Sequence, residues 1–537
     1  MKNDNTIMKK FLFSLLCLAV AAGCSSQGDP VKEQLDEFAP IQIGSSFFEG
    51  ISDNGREVLN YFKQASAEVD NIYWDQSFGD KKELNKLSRV QREWAEVNYG
   101  PWNRTDGQAF AEGWQPRPLG ANFYPADMSE EEFLACEDPE KENPFTLIRR
   151  DDQGELMAVW YHDAYKDRIE KIKSYLTAAA NYTIKPSVRE YLLARIEGLQ
   201  TDDYYKSNLV WLGMQDSKMD LIIGPAETED DRLRGVKTSY ESYVLLKDLE
   251  LTATINMLAE RIPAFQENLP CEAQYKAFSP GEGSTIYAYD MVYAAGAANA
   301  GVKKIAINRP YDLRVQSEQG TRTAVLNNVI HAKYLKIILP AGRLLLTRDQ
   351  SANLGAKAFF WNTVMREIAH GIGVKETVSG KGSVTDALGD EALTIEKIKD
   401  NALGLYLNLQ AIAAGQTDPT VRREDALATF VVSTIRSARF GEATALGRGN
   451  IVLYNYLKEK EAFAIDRSGH YLVDFDKAEQ AVTDLASRVL TIQGEGDSAA
   501  AHTLIETYGT PSESLLMDFA AMKRARIPVD VRFQFVW

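Results

Sequence analysis

In "AKAFFWNTVMREIAHGIG", residues 356 to 373, apolar side chains recur every three or four positions until glycines stop the pattern. That period lays an apolar stripe along a helix, and the stripe must be buried against something. The same spacing runs through "RIEKIKSYLTAAANY" (168–182), "SVREYLLARIEGLQ" (187–200) and "IEKIKDNALGLYLNLQAIAAG", which ends at Gly415. Strands are fewer. "FTLIRRDDQGELMAVWYH" (145–162) reads as two strands around an Asp-Gln-Gly turn, and "MDLIIG", "KKIAIN", "LKIILP" and "DVRFQFVW" are apolar or β-branched runs of strand length. Strands mixed into a helix-rich chain without regular βα alternation predict an α+β fold.

At 537 residues the chain is too long for one core, and two to four domains are expected. A net charge of −16 argues against a nucleic-acid partner, which wants clustered Lys and Arg. "MKKFLFSLLCLAVAAGC" has a basic start, an apolar run too short for an ordinary membrane span and small residues before Cys24. This reads as a secretory signal, with Met8 as an alternative start. "AAGC" resembles the bacterial lipoprotein cleavage box, in which the Cys is lipidated; plain secretion with cleavage nearby is the alternative. The expectation is a cell-envelope lipoprotein, periplasmic or outer-membrane anchored, with residues 1–23 as signal and 24–40 as a polar tether. Cys136 and Cys271 remain for the mature chain and could pair outside the cytoplasm.

"VMREIAHGIG" (364–373) differs by one letter from the zinc helix H-E-x-x-H. In that motif two His at i and i+4 share a helix face, and the Glu acts as general base on the metal-bound water. Here Glu367 and His370 hold the base and second-ligand places, and Arg366 holds the first. A guanidinium has no free lone pair and stays protonated, so it cannot ligate zinc and repels it.

Taken with "GPWNRTDG", "GANFYPADM", "TDDYYKSNLVWL", "LIIGPAETEDDRLRGVKTSYESYVLLKD", "KKIAINRPYD", "GKGSVTDAL", "NALGLYLNL" and "RSARFGEATALGRGNIVLYNYLKEKEAF", the motif resembles the dipeptidyl peptidase III family, in its shorter bacterial form with a five-residue zinc motif. The resemblance covers most of the mature chain. It implies two lobes around a wide cleft, one mostly helical and metal-bearing, the other mixed with a β-barrel-like core. It places residues 41–240 mainly in the lower, β-containing lobe and 241–345 in lobe-crossing segments that include cleft strands. Residues 346–515 then form the helical lobe, and 516–537 a C-terminal strand returning to the lower lobe. The family's chemistry is zinc-dependent release of dipeptides from peptide N-termini.

Carried over residue by residue, the family's first zinc His falls on Arg366, its catalytic Glu on Glu367 and its second zinc His on His370. The third ligand is the second Glu of a pair on a later helix. Counting back from Gly404 without a gap puts Glu396 at the first Glu, Lys397 at the ligand and Asn401 at the closing acid. A one-residue insertion would put Glu396 at the ligand and Asp400 at the closing acid, but would turn the helix by about 100°, so the intact "GLYLNL" favours the ungapped register. A His that helps stabilise the reacting carbonyl falls on Leu446, which has no polar atom to offer. One substrate-binding Asn falls on Asn308, a second on Tyr311, and Glu227 matches an acidic position on the peptide-binding side.

The resemblance thus implies a family member that is catalytically degenerate, a pseudoenzyme binding peptides or a protein partner, with no cofactor expected. A salt-bridge cluster of Arg366 and Lys397 with Glu367 and Glu396 is expected in the old metal site. The alternative is an active metallopeptidase with Glu367 as general base, holding zinc through His370 and Glu396.

Overall fold

The structure, a computed structural model, describes residues 29–277 and 284–537. The signal segment and Cys24 lie outside the described residues. Eleven strands are present among the described residues: β1 (Phe38–Ile43), β2 (Thr146–Arg150), β3 (Leu156–Trp160), β4 (Met219–Glu227), β5 (Ser239–Lys247), β6 (Thr285–Gly296), β7 (Ala306–Arg309), β8 (Arg322–Leu326), β9 (Phe463–Ile465), β10 (Tyr471–Val473) and β11 (Asp530–Phe535). β4-β5-β6-β8-β7 form one curled sheet whose neighbours are antiparallel except β6 and β8. Because β4 and β7 do not pair, the sheet is an open half-barrel. The fold is α+β, as the pattern of elements predicts.

Two main apolar cores organise the chain. The lower one gathers the sheet and the helix Asp53–Ser77, whose Val58, Leu59, Phe62, Ala65, Val69 and Ile72 repeat at helical spacing. Ser52 caps that helix, accepting from the Gly55 amide at 3.2 Å. β5 is buried along its whole length, and its Ser242 hydroxyl is matched by Ser66 of the helix at 2.8 Å. The upper core is helical and includes the helices Ala356–Gly371, Ala392–Ala413, Arg423–Ala438, Ala445–Glu459 and Phe475–Glu495. β11 pairs in parallel with β1, and this ribbon is shared: Ile41 and Val531 lie in the upper core, Ile43 in the lower, and Phe533 packs on both. The chain end therefore returns to where the described chain begins.

Two expectations are corrected, and one open question is answered. "LKIILP" is helical, part of a continuous segment from Asn327 to Leu345 with a π turn at Tyr334–Ile338. Ile337 and Ile338 are fully buried in the upper core, and a short apolar run looks the same in a buried helix as in a strand. The tether does not extend to residue 40. Asp29 caps a helix at Pro30–Asp36, and Val31, Leu35 and Phe38 are buried against Trp94 and Val97, so one apolar stripe anchors a segment that reads as polar. Cys136 and Cys271 are free, because each packs against a different core.

The Ala356–Gly371 and Ala392–Ala413 helices are in backbone contact at Gly404. A Cβ there would stand 2.7 Å from the Arg366 Cα, so only glycine permits this crossing. Gly404→Val should cost about 1–3 kcal/mol through overpacking, read as a lower thermal midpoint. Gly213→Ala, at a helical glycine with open space around it, should be neutral or slightly stabilising.

Candidate active-site cleft

The cleft between the lobes encloses a cavity of about 550 Å³. Its upper wall carries Arg366, Glu367 and His370 from one helix and Lys397, Asp400 and Asn401 from the next. The Gly404 contact explains this set. Where Gly404 touches the Arg366 backbone, the helices run antiparallel. His370, one turn beyond Arg366, then faces Asp400, one turn before Gly404. The Ala392–Ala413 helix is α-helical throughout, with no bulge. Lys397 and Asn401 face the cavity, whereas Glu396 reaches His370 from outside the cavity lining.

The polar contacts keep one pair of the expected cluster and replace the other. Arg366 pairs with Glu367, its own neighbour, at 2.6 Å. Lys397 stands 3.7 Å from Asp400 and is not the partner of Glu396. Glu396 is held by Lys399 at 2.8 Å, by Lys375 at 3.6 Å and by the Gln493 amide at 2.8 Å. Lys399 is fully buried, lies 3.5 Å from Asp400 and also donates to the Ile372 carbonyl. His370 Nδ1 sits 3.1 Å from Asp400 and 3.3 Å from Glu396. The reason for the difference is helical geometry. Glu396 and Lys399 are three apart and meet on one face, while Lys397 points a quarter turn away, into the cleft.

Electrostatics follow from these contacts. Hydrogen bonds to Asp400 and Glu396 raise the half-exposed His370 imidazole to about 9, against the opposing effect of burial. Burial opposes charge on Glu396, yet Lys399, His370 and Lys375 hold it well below the usual carboxylate range. Asp400 is likewise buried and is lowered by Lys399. The cluster thus sets two carboxylates against the His370 imidazole and the Lys399 and Lys375 side chains.

The other expected residues lie around the same cavity. Leu446 lines the upper wall near the start of the Ala445–Glu459 helix and presents only carbon. On the lower wall, the Asn308 amide of β7 donates to Thr321 and Thr323 at 2.9 and 2.8 Å, leaving its carbonyl oxygen free to accept. Tyr311 is partly exposed, with the Arg309 guanidinium over its ring at 4.4 Å. Glu227, at the end of β4, is buried beside Lys304 at 3.3 Å; burial raises it to about 7, with Lys304 opposing.

Sequence reasoning passed over Lys399, Lys375 and the floor group Lys303, Lys333, Arg436 and Asp530. The Glu396–Lys399 spacing was readable; the floor group, scattered over more than two hundred positions, was not.

Zinc, which the family resemblance implies, can be tested against these residues. His370, Glu396 and Asp400 do offer one donor atom each within 4.8 Å of one another. Those donors already neutralise cations, however. A dication about 4 Å from one ammonium costs on the order of 8 kcal/mol at an effective dielectric near 20, and Lys399 cannot swing to solvent from a fully buried position. The donor set as it stands does not fit a divalent metal.

Lys399→Met removes a buried partner from two carboxylates, a loss of about 3–5 kcal/mol. The variant should show a lower thermal midpoint, and zinc should raise that midpoint while leaving the parent protein's unchanged.

No family model matches the sequence. A plant protein called Nudix hydrolase 3, from Arabidopsis thaliana, is 26% identical over 589 aligned residues, covering 97% of this chain and 76% of that protein. Among solved structures, dipeptidyl peptidase III from Corallococcus sp. strain EGB aligns with a TM-score of 0.82 at 27% identity, over 94% of this chain and 96% of that one. Dipeptidyl peptidase III from Caldithrix abyssi aligns with a TM-score of 0.89 at 33% identity, over 94% and 98%. With near-complete coverage, the same two-lobed α+β architecture and the matched cleft segments, the chain belongs to the dipeptidyl peptidase III family.

Proposed function

We propose that this family member binds peptides or a protein partner in its cleft without cleaving them. The observation that carries the reading is the buried Lys399 ammonium, 2.8 Å from Glu396 and 3.5 Å from Asp400. It compensates the carboxylates that could otherwise hold a cation. Arg366 and Lys397 add two further positive charges on the cleft wall, in the places where the resemblance expects zinc ligands. Leu446 removes a hydrogen-bond donor from the position expected to steady a reacting carbonyl. Glu367 keeps its place, but its carboxylate is engaged by Arg366 at 2.6 Å. The groups suited to holding a peptide backbone, such as Asn308 with its free carbonyl oxygen, remain.

The second reading is an active metallopeptidase. It is favoured by one observation, the convergence of His370, Glu396 and Asp400, with Glu367 lining the same cavity. It requires Lys399 to give up both carboxylates.

On either reading the N-terminal features point to a lipoprotein anchored through Cys24 in the cell envelope. Cys24→Ser should release the protein from the membrane fraction.

Purified protein should contain well under one equivalent of zinc and release no dipeptides from N-terminally free peptides. About one equivalent, with chelator-sensitive release, would overturn the reading. Combining Arg366→His with Lys397→Glu should raise zinc affinity by at least ~10-fold, the scale that even outer ligand partners command.

A further inference from the structure

The cleft differs in sign from the molecule around it. The whole chain has 76 acidic and 60 basic residues, yet the cavity lining has nine Lys and Arg against five Asp and Glu. Each of those five acids already has a cation. Glu227 and Glu229 share Lys304 at 3.3 and 3.2 Å, and Asp230 is paired with Arg104 and with Arg117, the latter at 2.7 Å. Glu367 has Arg366, and Asp400 has Lys399 and His370. Of the nine cations Arg309 is also matched, by the buried Glu241 at 2.5 Å, and what is left over is still positive.

The surplus concentrates on the floor. Asp530, fully buried at the start of β11, accepts from the Lys333 ammonium at 2.7 Å, the Arg436 guanidinium at 3.2 Å and the Lys303 backbone amide at 2.7 Å. Lys303, Lys333 and Arg436 all line the cavity, so three cationic side chains crowd one carboxylate. Burial lowers Lys303 to about 7 and Lys333 to about 8, with Asp530 opposing in both cases. Arg436 is about nine-tenths buried, and its Nε has no hydrogen-bond partner; neither has Arg104 Nη1. A buried guanidinium with an unused donor is costly unless a ligand meets it. On the upper wall Arg366 and Lys397 remain about one-third exposed.

We infer that the cleft selects peptides by their carboxylates, seating acidic side chains or a free C-terminus against Arg366 and Lys397 on the wall and the Lys303, Lys333 and Arg436 group on the floor. The inference rests on the peptide-binding reading above and names the class of peptide it takes. A guanidinium meets a carboxylate through paired donors, and a recessed site with low-dielectric walls strengthens that attraction over its value in open solvent. The chain as a whole is acidic, with a net charge of −16, so the basic lining marks the cleft out as a place for acidic ligands.

The test uses the full-length mature chain and four short alanine-based peptides: with Glu or with Gln at alternate positions, each with a free or an amidated C-terminus. Binding is read by calorimetry. The Glu peptides should bind at least ~10-fold more tightly than the amidated Gln peptide, a gap that should shrink as salt shortens the screening length from about 10 Å toward 3 Å. Tight binding of the free-acid Gln peptide would identify the C-terminal carboxylate as the recognised group; tight binding of the amidated Glu peptide would identify the side chains. Lys333 and Arg436 also hold Asp530, and their replacement could unfold the chain. Lys397→Gln, at a partly exposed position, therefore decides and should narrow the Glu–Gln gap severalfold. Equal binding of all four peptides would overturn the inference and leave peptide binding standing. No binding of any peptide would overturn both, and cleavage of the peptides would overturn the non-catalytic reading while KM reports the charge preference.

Discussion

Asp530 ties the two lobes together. Its carboxylate is fully buried and is reached by Lys303 from below, by Lys333 from the segment that joins the lobes, and by Arg436 from the helical lobe. The Lys333 ammonium also donates to the Lys303 carbonyl. A buried charge of this kind adds little net stability, because desolvation offsets much of the attraction, but removing it would leave three cations without a counter-charge. The geometry therefore depends on β11 being in place. β11 is held by its parallel register with β1 and by Trp537, whose indole donates to the Val292 carbonyl at 2.8 Å. β11 thus supplies the carboxylate that Lys303, Lys333 and Arg436 share.

The same logic operates on the cleft wall, with the partners exchanged. There two carboxylates, Glu396 and Asp400, are surrounded by Lys399, Lys375, Lys397 and His370. A dication and a set of ammonium groups are alternative answers to one electrostatic requirement, the neutralisation of buried acids. An ammonium built into the chain needs no capture from solution, but it offers no open coordination position. The helix crossing at Gly404 fixes where these groups stand, whichever cation neutralises the acids. The fold by itself does not fix which of the two the site uses.

Much of the architecture was legible along the chain. The long periodic helices are where the spacing puts them, and the hairpin of β2 and β3 closes at the Asp-Gln-Gly turn. "LKIILP" failed because a short, wholly buried apolar run has no exposed face from which to read a period. The start of the fold was missed because three apolar residues, Val31, Leu35 and Phe38, carry its docking in a polar stretch. At the site, Arg366, Glu367, His370, Lys397 and Leu446 were legible as a wall because family motifs name them. Lys399 was not, since the motif passes over it, although its spacing from Glu396 is that of a helical ion pair.

By itself the sequence determined which side chains could never ligate a metal: a guanidinium at 366 and a hydrocarbon at 446 have those properties in any fold. It also determined the helical periods, since these depend on neighbours a few positions apart. Only the tertiary structure decided which charge meets which. The partners of Asp530 come from positions 303, 333 and 436, and burial, which sets the strength of each pairing, is a property of the assembled cores. The sign of the cleft was decided there too, because it is the surplus left after every acid has found its cation.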